Sequence, residues 1–368
     1  MPEKHRVLIR QAEYDKSLDS VIEEIFEAFG VNVAGRKVFV KPNILAAREP
    51  DKAVTTHPSI VSAVVASLEK RRAAQIIVGD NSGMTQYGAN EEAAARSGIL
   101  DAAGKYFRNI GASPVRVGLH SPYAHDVAIS KEILDCDVLI SLPKFKTHTL
   151  TMISGAIKNS YGFLLGGEKA RLHRVAKSRD AFARTVVDVF SLRVPDLVIC
   201  DGILAMQGNG PSSKDVFHLG RVIASTDSVA MDAVIGAMMN LKPSEVQTTV
   251  EAAARGLGVA DIGLLEIDGA LAPIEGFKLP GSLLRGRVFN WLARLASGVI
   301  VSEPRPDTNI CLRCNLCRDH CPTEAITMSP YPVIDRGKCI RCYCCLEFCP
   351  HEAMKLSPRV RFIRRLAR

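Results

Sequence analysis

Eight of the eleven cysteines in this chain fall into two matched runs, Cys311-x2-Cys314-x2-Cys317-x3-Cys321-Pro322 and Cys339-x2-Cys342-x2-Cys345-x3-Cys349-Pro350. Thiolates at this spacing ligate iron–sulfur clusters: three cysteines at x2 intervals wrap one corner of a cubane, and the fourth comes from the other run. The spacing therefore assigns Cys311, Cys314, Cys317 and Cys349 to one [4Fe–4S] cluster. Cys339, Cys342, Cys345 and Cys321 take a second. Neither zinc sites nor a disulfide framework has this doubled x2-x2-x3-Pro pattern. Two [4Fe–4S] clusters imply movement of electrons. Of the other cysteines, Cys136 and Cys200 lie in the apolar runs DCDVLI and LVICD and read as core. Cys344, between two ligands, either swaps into a cluster or packs beside it as a free thiol.

A second concentration of chemistry runs from Pro143 to Gly167. Lys144, Lys146, His148 and Lys158 are interspersed there with threonines, glycines and apolar residues. These are the expected catalytic residues, clamping the carboxylate or phosphate groups of an anionic substrate. His148, with an ordinary pKa near neutrality, is expected to supply protons. A plain charged loop would be solvated, but the mixture with small and apolar side chains points to a site. Lys169, Arg171, His173 and Arg174 follow as a lid or rim.

Further polar residues follow predicted strands and are expected to touch substrate: Lys41 and Asn43 in Lys41-Pro42-Asn43, His57, Asp80, Asn159 and Asp227. Thr55-Thr56-His57-Pro58 opens a helix, with Thr55 or Thr56 expected as its cap, and leaves His57 beside free amides that welcome an anion. Gly79-Asp80-Asn81-Ser82-Gly83 permits close approach of backbone or carboxylate to a ligand. Asp201 or Asp227 could orient a lysine, bind a metal or act as a base, although Asp227 also suits a simple helix cap. Asp232 sits among apolar residues and needs a partner if buried. Neither GxGxxG after a strand nor GxxxxGK[ST] occurs, so a dinucleotide or nucleoside triphosphate is not expected.

The elements that position these residues follow a βαβα cadence. RVLIR, KVFVK, QIIVG, DVLISL, DLVICD and RVIAS read as strands, and the helical segments include SLDSVIEEIFEAFG and HPSIVSAVVASLEK. Nearly continuous apolar strands imply burial on both faces. The expected fold class is α/β: a mostly parallel, helix-covered sheet over residues 1–275, followed by a small α+β dicluster ferredoxin domain over 304–357. Ser17 and Gly30 mark the ends of one helix, and Ser244-x-x-Gln247 reads as a capping box. Residues 276–303 carry Leu284, Val288, Trp291, Leu292, Leu295 and Val299 at helical spacing, predicting an amphipathic linker helix. Pro304 to Thr308 read as a stiff joint, and 358–368 as a basic tail.

The 368 residues, 47% hydrophobic and 23% charged, describe a globular chain of more than one domain. Charged residues interrupt the N-terminus too early for a secretory signal, and no apolar run is long enough to span a membrane, so a cytoplasmic location is expected. Clusters and unpaired thiols suit a reducing, anaerobic setting. The net charge of +8 is concentrated in part in the arginine-rich tail, which with the linker helix offers peripheral contact with an anionic membrane. With only 6% aromatic residues and no set of stacking aromatics interleaved with the basic positions, nucleic acid is an unfavoured partner.

Several motifs together resemble domain-of-unknown-function family 362, whose members are often joined to a two-cluster ferredoxin module. They are Val40-Lys41-Pro42-Asn43, Thr56-His57-Pro58, Pro143-Lys144-Phe145-Lys146-Thr147-His148, Gly155-Ala156-Ile157-Lys158-Asn159, Gly208-Asn209-Gly210-Pro211 and Cys339-Ile340-Arg341-Cys342-Tyr343-Cys344-Cys345. The resemblance implies the two-module architecture, the cluster ligands and a family Cys344-Cys345 pair, but no substrate. The resulting expectation is an iron–sulfur oxidoreductase that receives electrons from a ferredoxin or reductase and passes them to an anionic small molecule. A dedicated electron carrier with a docking domain is the alternative. A third class is a non-redox enzyme or nucleic-acid-binding protein with structural clusters.

Overall fold

Alternate residues along the strands face two different helical layers. The computed structural model describes residues 5–83, 89–281 and 298–362. Strands β1 (Arg6–Gln11), β2 (Lys37–Pro42), β3 (Gln75–Val78), β4 (Pro114–Gly118), β5 (Asp126–Ser130), β6 (Val138–Leu142), β7 (Lys144–His148), β8 (Met152–Ile153), β9 (Leu197–Met206), β10 (Val216–Ser225) and β11 (Glu266–Asp268) make up the N-terminal module. Nine of them form one sheet in the order β11-β1-β10-β9-β6-β2-β3, with β7 beside β9 and β8 beside β7. Val38, Val40, Ile140 and Leu142 pack on the helices Ser17–Phe29 and Pro58–Lys70. On the other face Phe39 and Leu139 meet the helix Arg179–Phe190, and Val198 and Cys200 meet Ser228–Met238. This period of two, with both faces covered, accounts for the continuous apolar strands.

The sheet is mostly parallel, as the cadence implies. β2, β3, β6 and β9 run the same way, but β10 is antiparallel to both β9 and β1. The connection from Met206 to Val216 is too short for a parallel crossover and closes a hairpin instead. β10 therefore delivers its last residues to the amino-terminal side of the parallel strands. β9 also continues past Asp201, pairing first with β6 and then with β7, where Lys144 lies opposite Asp201 and Lys146 opposite Met206.

Local signals were accurate to within a residue or two. Gly30 ends its helix at φ 59°, but at the other end Ser17 is the first helical residue and Lys16 the N-cap, and the Asp15 carboxylate accepts from the amide and hydroxyl of Ser17. His57, rather than Thr55 or Thr56, caps the helix Pro58–Lys70, with Nδ1 accepting from the Ser59 amide. The expected Ser244–Gln247 box is replaced by Glu245 accepting from the Lys242 amide.

The C-terminal module has β12 (Gly298–Pro306) paired with β15 (Met354–Phe362), a hairpin of β13 (Ile326–Ser329) and β14 (Tyr331–Ile334), and two short helices, Leu316–Asp319 and Cys344–Glu347. The stiff joint expected at Pro304 is thus part of a strand, as its partner β15 satisfies the backbone groups that lie between its prolines. Of the linker helix expected over 276–303, residues 282–297 lie outside the described residues, and 298–303 are strand. The tail likewise begins as strand to Phe362, and 363–368 lie outside the described residues. No helix among the described residues is long and apolar enough to cross a membrane.

Candidate active site at the junction of the two modules

Five lysines are drawn into the carboxyl-end loops: Lys41 from β2, Lys144 and Lys146 from β7, and Lys158 and Lys169 from two short helices. At the end of β2, Lys41 forms an ion pair with Asp80 at 2.7 Å, just past β3, and both are almost fully buried. Lys41 also donates to Asn159 Oδ1, which accepts from Asn43 Nδ2 as well. Gly162 must be glycine here, because a Cβ would stand 2.2 Å from Asp80 Oδ1 and 2.6 Å from Lys41 Nζ. Lys146 donates to Asn43 Oδ1 at 2.6 Å and to the carbonyl of Val54. Lys169 donates to the carbonyls of Asn81 and Ser82. Lys158 makes no hydrogen bond to a described residue; its ammonium lies over the rings of Tyr161 and Phe182 at 4.5 and 5.7 Å.

Lys144 belongs to a separate cluster. It is fully buried against Asp201 at 2.7 Å and donates to the Tyr14 hydroxyl, which in turn donates to Asp201. The other carboxylate oxygen of Asp201 accepts from the His57 amide, and the His57 ring stacks on Tyr14 at 3.6 Å. The Lys144 ammonium, the Tyr14 hydroxyl and both Asp201 oxygens are thus engaged with one another and with nearby amides, and Lys144 ties β7 to β9.

The C-terminal module closes the site. Glu347 and Phe348, on the second cysteine run, line a pocket of about 60 Å³ with Asn43, Asp80, Lys158, Asn159, Tyr161, Lys169 and His173. Glu347 Oε1 stands 3.5 Å from His148 Nε2. Docking is apolar as well: Tyr343 is buried within the core of the N-terminal module, Leu346 and Leu356 pack against it, and Arg174 donates to the Pro322 carbonyl. At the opposite wall, Gly83 approaches the Phe348 ring closely enough that a Cβ would lie 3.2 Å away.

Burial dominates the electrostatics. It lowers Lys146 and Lys169 from 10.5 to about 7, with the nearby Lys158 charge pushing Lys146 further down. Lys41 and Lys158 are lowered too, opposed by Asp80 and Glu347 respectively. Burial raises Glu347, against the pull of Lys158 and Lys146. For His148, burial and then the Lys158 and Lys146 charges hold the ring well below its ordinary value. Its Nδ1 accepts from the amides of Leu150 and Thr151, so the single proton sits on Nε2, toward Glu347. The expected neutral-pH proton carrier is therefore a fixed neutral ring.

These shifts set the alkaline stability profile. The unfolded chain binds more protons than the fold wherever a lysine titrates near 7 when folded and near 10.5 when unfolded, so stability rises with pH above 7. Asp232, raised to about 7 by burial, has the opposite sense, but only below that pH. Denaturant midpoints should climb between about pH 7 and 8.5, by on the order of 2–4 kcal/mol in unfolding free energy. A flat profile would mean that both lysines keep their charge in the fold.

The two cysteine runs have matching local geometry. Left-handed residues recur at Arg313 and Arg341, at Asn315 and Tyr343, and at Glu324 and Glu352, so each run coils the same way between its cysteines. Cys321 and Cys349 each accept from the amide four residues on. Cys317 has Cys349, Cys314 and Cys311 as its thiol neighbours, and Cys339 has Cys342 and Cys321. This wide, crossed arrangement suits two cubanes; among the described residues no three ligands converge on a single metal ion. Cys344 is fully buried, and its thiol interacts with that of Cys342.

Residues 38–237 match the family described as Domain of unknown function (DUF362). The chain belongs to this family. Residues 304–327 and 332–355 match the 4Fe-4S binding domain, which indicates two [4Fe–4S] clusters and a capacity for electron transfer. The thylakoid-associated protein sll1697 of Synechocystis is 31% identical over 253 residues, covering 66% of this chain and 76% of that protein. Among solved structures, the lactate racemase apoprotein of Thermoanaerobacterium thermosaccharolyticum has a TM-score of 0.39 at 11% identity, covering 61% of this chain and 54% of that one. A Thermotoga maritima protein has a TM-score of 0.41 at 13% identity, covering 61% and 59%. The chain thus spans little more than half the length of either solved structure.

In this DUF362 member, Asn43, Asp80, Lys158 and Asn159 line one pocket, and Lys41, Lys146 and His148 stand behind its wall, against Asp80, Asn43 and Glu347 respectively. Lys144 and His57 are diverted to Asp201, and the His57 ring, lowered to about 4 by burial, serves as a helix cap. Asp227 stands apart because β10 is antiparallel. It caps its helix through the amides of Val229 and Ala230 and pairs with His5. Asp232 finds its partners in the amides of Ala156 and Ile157, at the start of the segment that carries Lys158. The Gly208-Asn209-Gly210-Pro211 motif is structural, since Gly210 packs on Thr147 too closely for any side chain and accepts from Thr149. Sequence reasoning missed Glu347, Tyr161 and Tyr14. Glu347 had no local signal, as it reaches the lysines only across the junction of the modules.

Proposed function

We propose that this DUF362 protein is an iron–sulfur oxidoreductase that passes electrons from a redox protein to an anionic organic molecule held beside Lys158. The observation that carries this reading is the shared wall: Glu347 and Phe348 of the second cysteine run line the same pocket as Lys158, Lys169, Asn43 and Asn159. When bound, the two [4Fe–4S] clusters supply one-electron transfer at potentials that can be very low. In this reading Cys339, Cys342, Cys345 and Cys321 hold the cluster nearer the pocket. Cys311, Cys314, Cys317 and Cys349 hold the outer one, where Cys314 and Leu312 are exposed to a partner such as a ferredoxin or reductase. Lys158 and Lys146 attract the substrate anion, Asn43 and Asn159 orient it, and His148 positions Glu347.

The same reading assigns the chain to a reducing, anaerobic cytoplasm. The thylakoid association named for the Synechocystis relative supports peripheral contact with an anionic membrane through the basic tail. The test is anaerobic. The reduced protein should show two cluster signals by electron paramagnetic resonance and be reoxidised on adding pooled anionic metabolites. Reoxidation by redox proteins alone would replace this reading with that of an electron carrier.

A further inference from the structure

With Lys41, Lys144, Lys146, Lys158 and Lys169 all protonated, the site would be short of negative charge by two units. Lys41 is neutralised by Asp80, and Lys144 by Asp201. Among the described residues, the other three lysines have uncharged hydrogen-bond or ring partners: side-chain and main-chain oxygens for Lys146, two carbonyls for Lys169, and two aromatic faces for Lys158. Two carboxylates act on these lysines: Asp80, which is already paired with Lys41, and Glu347, which even fully ionised balances a single charge. His148 and His173 are held neutral and add nothing. Buried charges persist at low cost only when paired.

We infer that the pocket binds a doubly negative group, a phosphate monoester or a compact dicarboxylate, whose two charges complete the set formed by Lys146, Lys158, Lys169 and Glu347. The cavity's small volume fits such a head group and leaves the rest of the molecule outside. Lys158 is the side chain prepared to receive it, having no acceptor among the described residues to give up, while Asn43 at the same wall has one amide hydrogen beyond that given to Asn159. The lowered pKa values of Lys146 and Lys169 are what an unfilled site of this kind should show, because in the absence of the dianion the lysines relieve the imbalance by losing protons.

This inference rests on the substrate reading above but is tested without turnover. Calorimetric titration of the oxidised, cluster-loaded protein at constant ionic strength, with inorganic phosphate, malonate and acetate, reads charge selectivity directly. Phosphate or malonate should bind at least about tenfold tighter than acetate. Lys158→Met should abolish that preference and Lys158→Arg should retain it, with cluster absorbance confirming that both variants are folded. Equal affinity for all three anions, or no binding of any, would overturn the inference and assign the lysine surplus to balancing the iron–sulfur groups. Absence of electron transfer to small molecules, with dianion binding intact, would instead overturn the oxidoreductase reading and leave the site standing.

Discussion

Lys158→Ala should slow reoxidation of the reduced protein by its anionic substrate by about a hundredfold or more, the loss of some 3 kcal/mol of charge-assisted contact. Both cluster signals and their reduction by a chemical donor should be unchanged. The selectivity follows from the partners of Lys158. Its ammonium lies on two aromatic faces and makes no hydrogen bond to a described residue, so truncation orphans no acceptor and leaves Glu347 with the charge of Lys146. Lys41→Ala is the informative contrast: it would leave Asp80, 3% exposed, without its ion-pair partner and cost about 3–5 kcal/mol of stability. Anaerobic stopped-flow absorbance measures the first effect, and denaturant unfolding the second. Unchanged reoxidation in Lys158→Ala would remove the pocket from the reaction.

Cys345→Ala should eliminate one of the two cluster signals and essentially all electron delivery to the small molecule, while the remaining cluster is still reduced by the protein donor. This asymmetry comes from docking. The second run carries Tyr343, Cys344 and Glu347 into the N-terminal module, whereas the first run leaves Cys314 and the 66%-exposed Leu312 on the surface. A run that loses a ligand also loses part of its folding free energy, so the pocket wall at Glu347 and Phe348 should loosen as well. Paired with Cys314→Ala, which should impair reduction by the protein donor first, the experiment reads the direction of transfer. Retained delivery in Cys345→Ala would reverse the assignment of inner and outer clusters.

At four expected site residues, His57 among them, structure and expectation part, each for its own tertiary reason. Asp227, Lys144 and His148 all carry side chains suited to chemistry and all follow or end apolar strands. Asp227 is removed by strand direction, since a short hairpin turns β10 against its neighbours. Lys144 is removed by a competing carboxylate, Asp201, which the extension of β9 places opposite it. His148 remains at the pocket, but three surrounding effects, burial and two ammonium charges, outweigh the neutral-pH titration of a free imidazole.

Period-two apolar strands, amphipathic helices and the cysteine spacing are encoded within short segments, because each depends on residues that touch along one strand, helix or loop. From these the sequence alone determined the α/β module, the ferredoxin module and the residue types that could meet at the carboxyl ends of the strands. Which lysine has which counter-charge was decided only by tertiary structure. Glu347 is nearly two hundred residues from Lys158 in the chain, and the charge balance of the pocket exists only where the two modules pack together. Electrostatic energy depends on distance and burial, and neither is a property of a local segment.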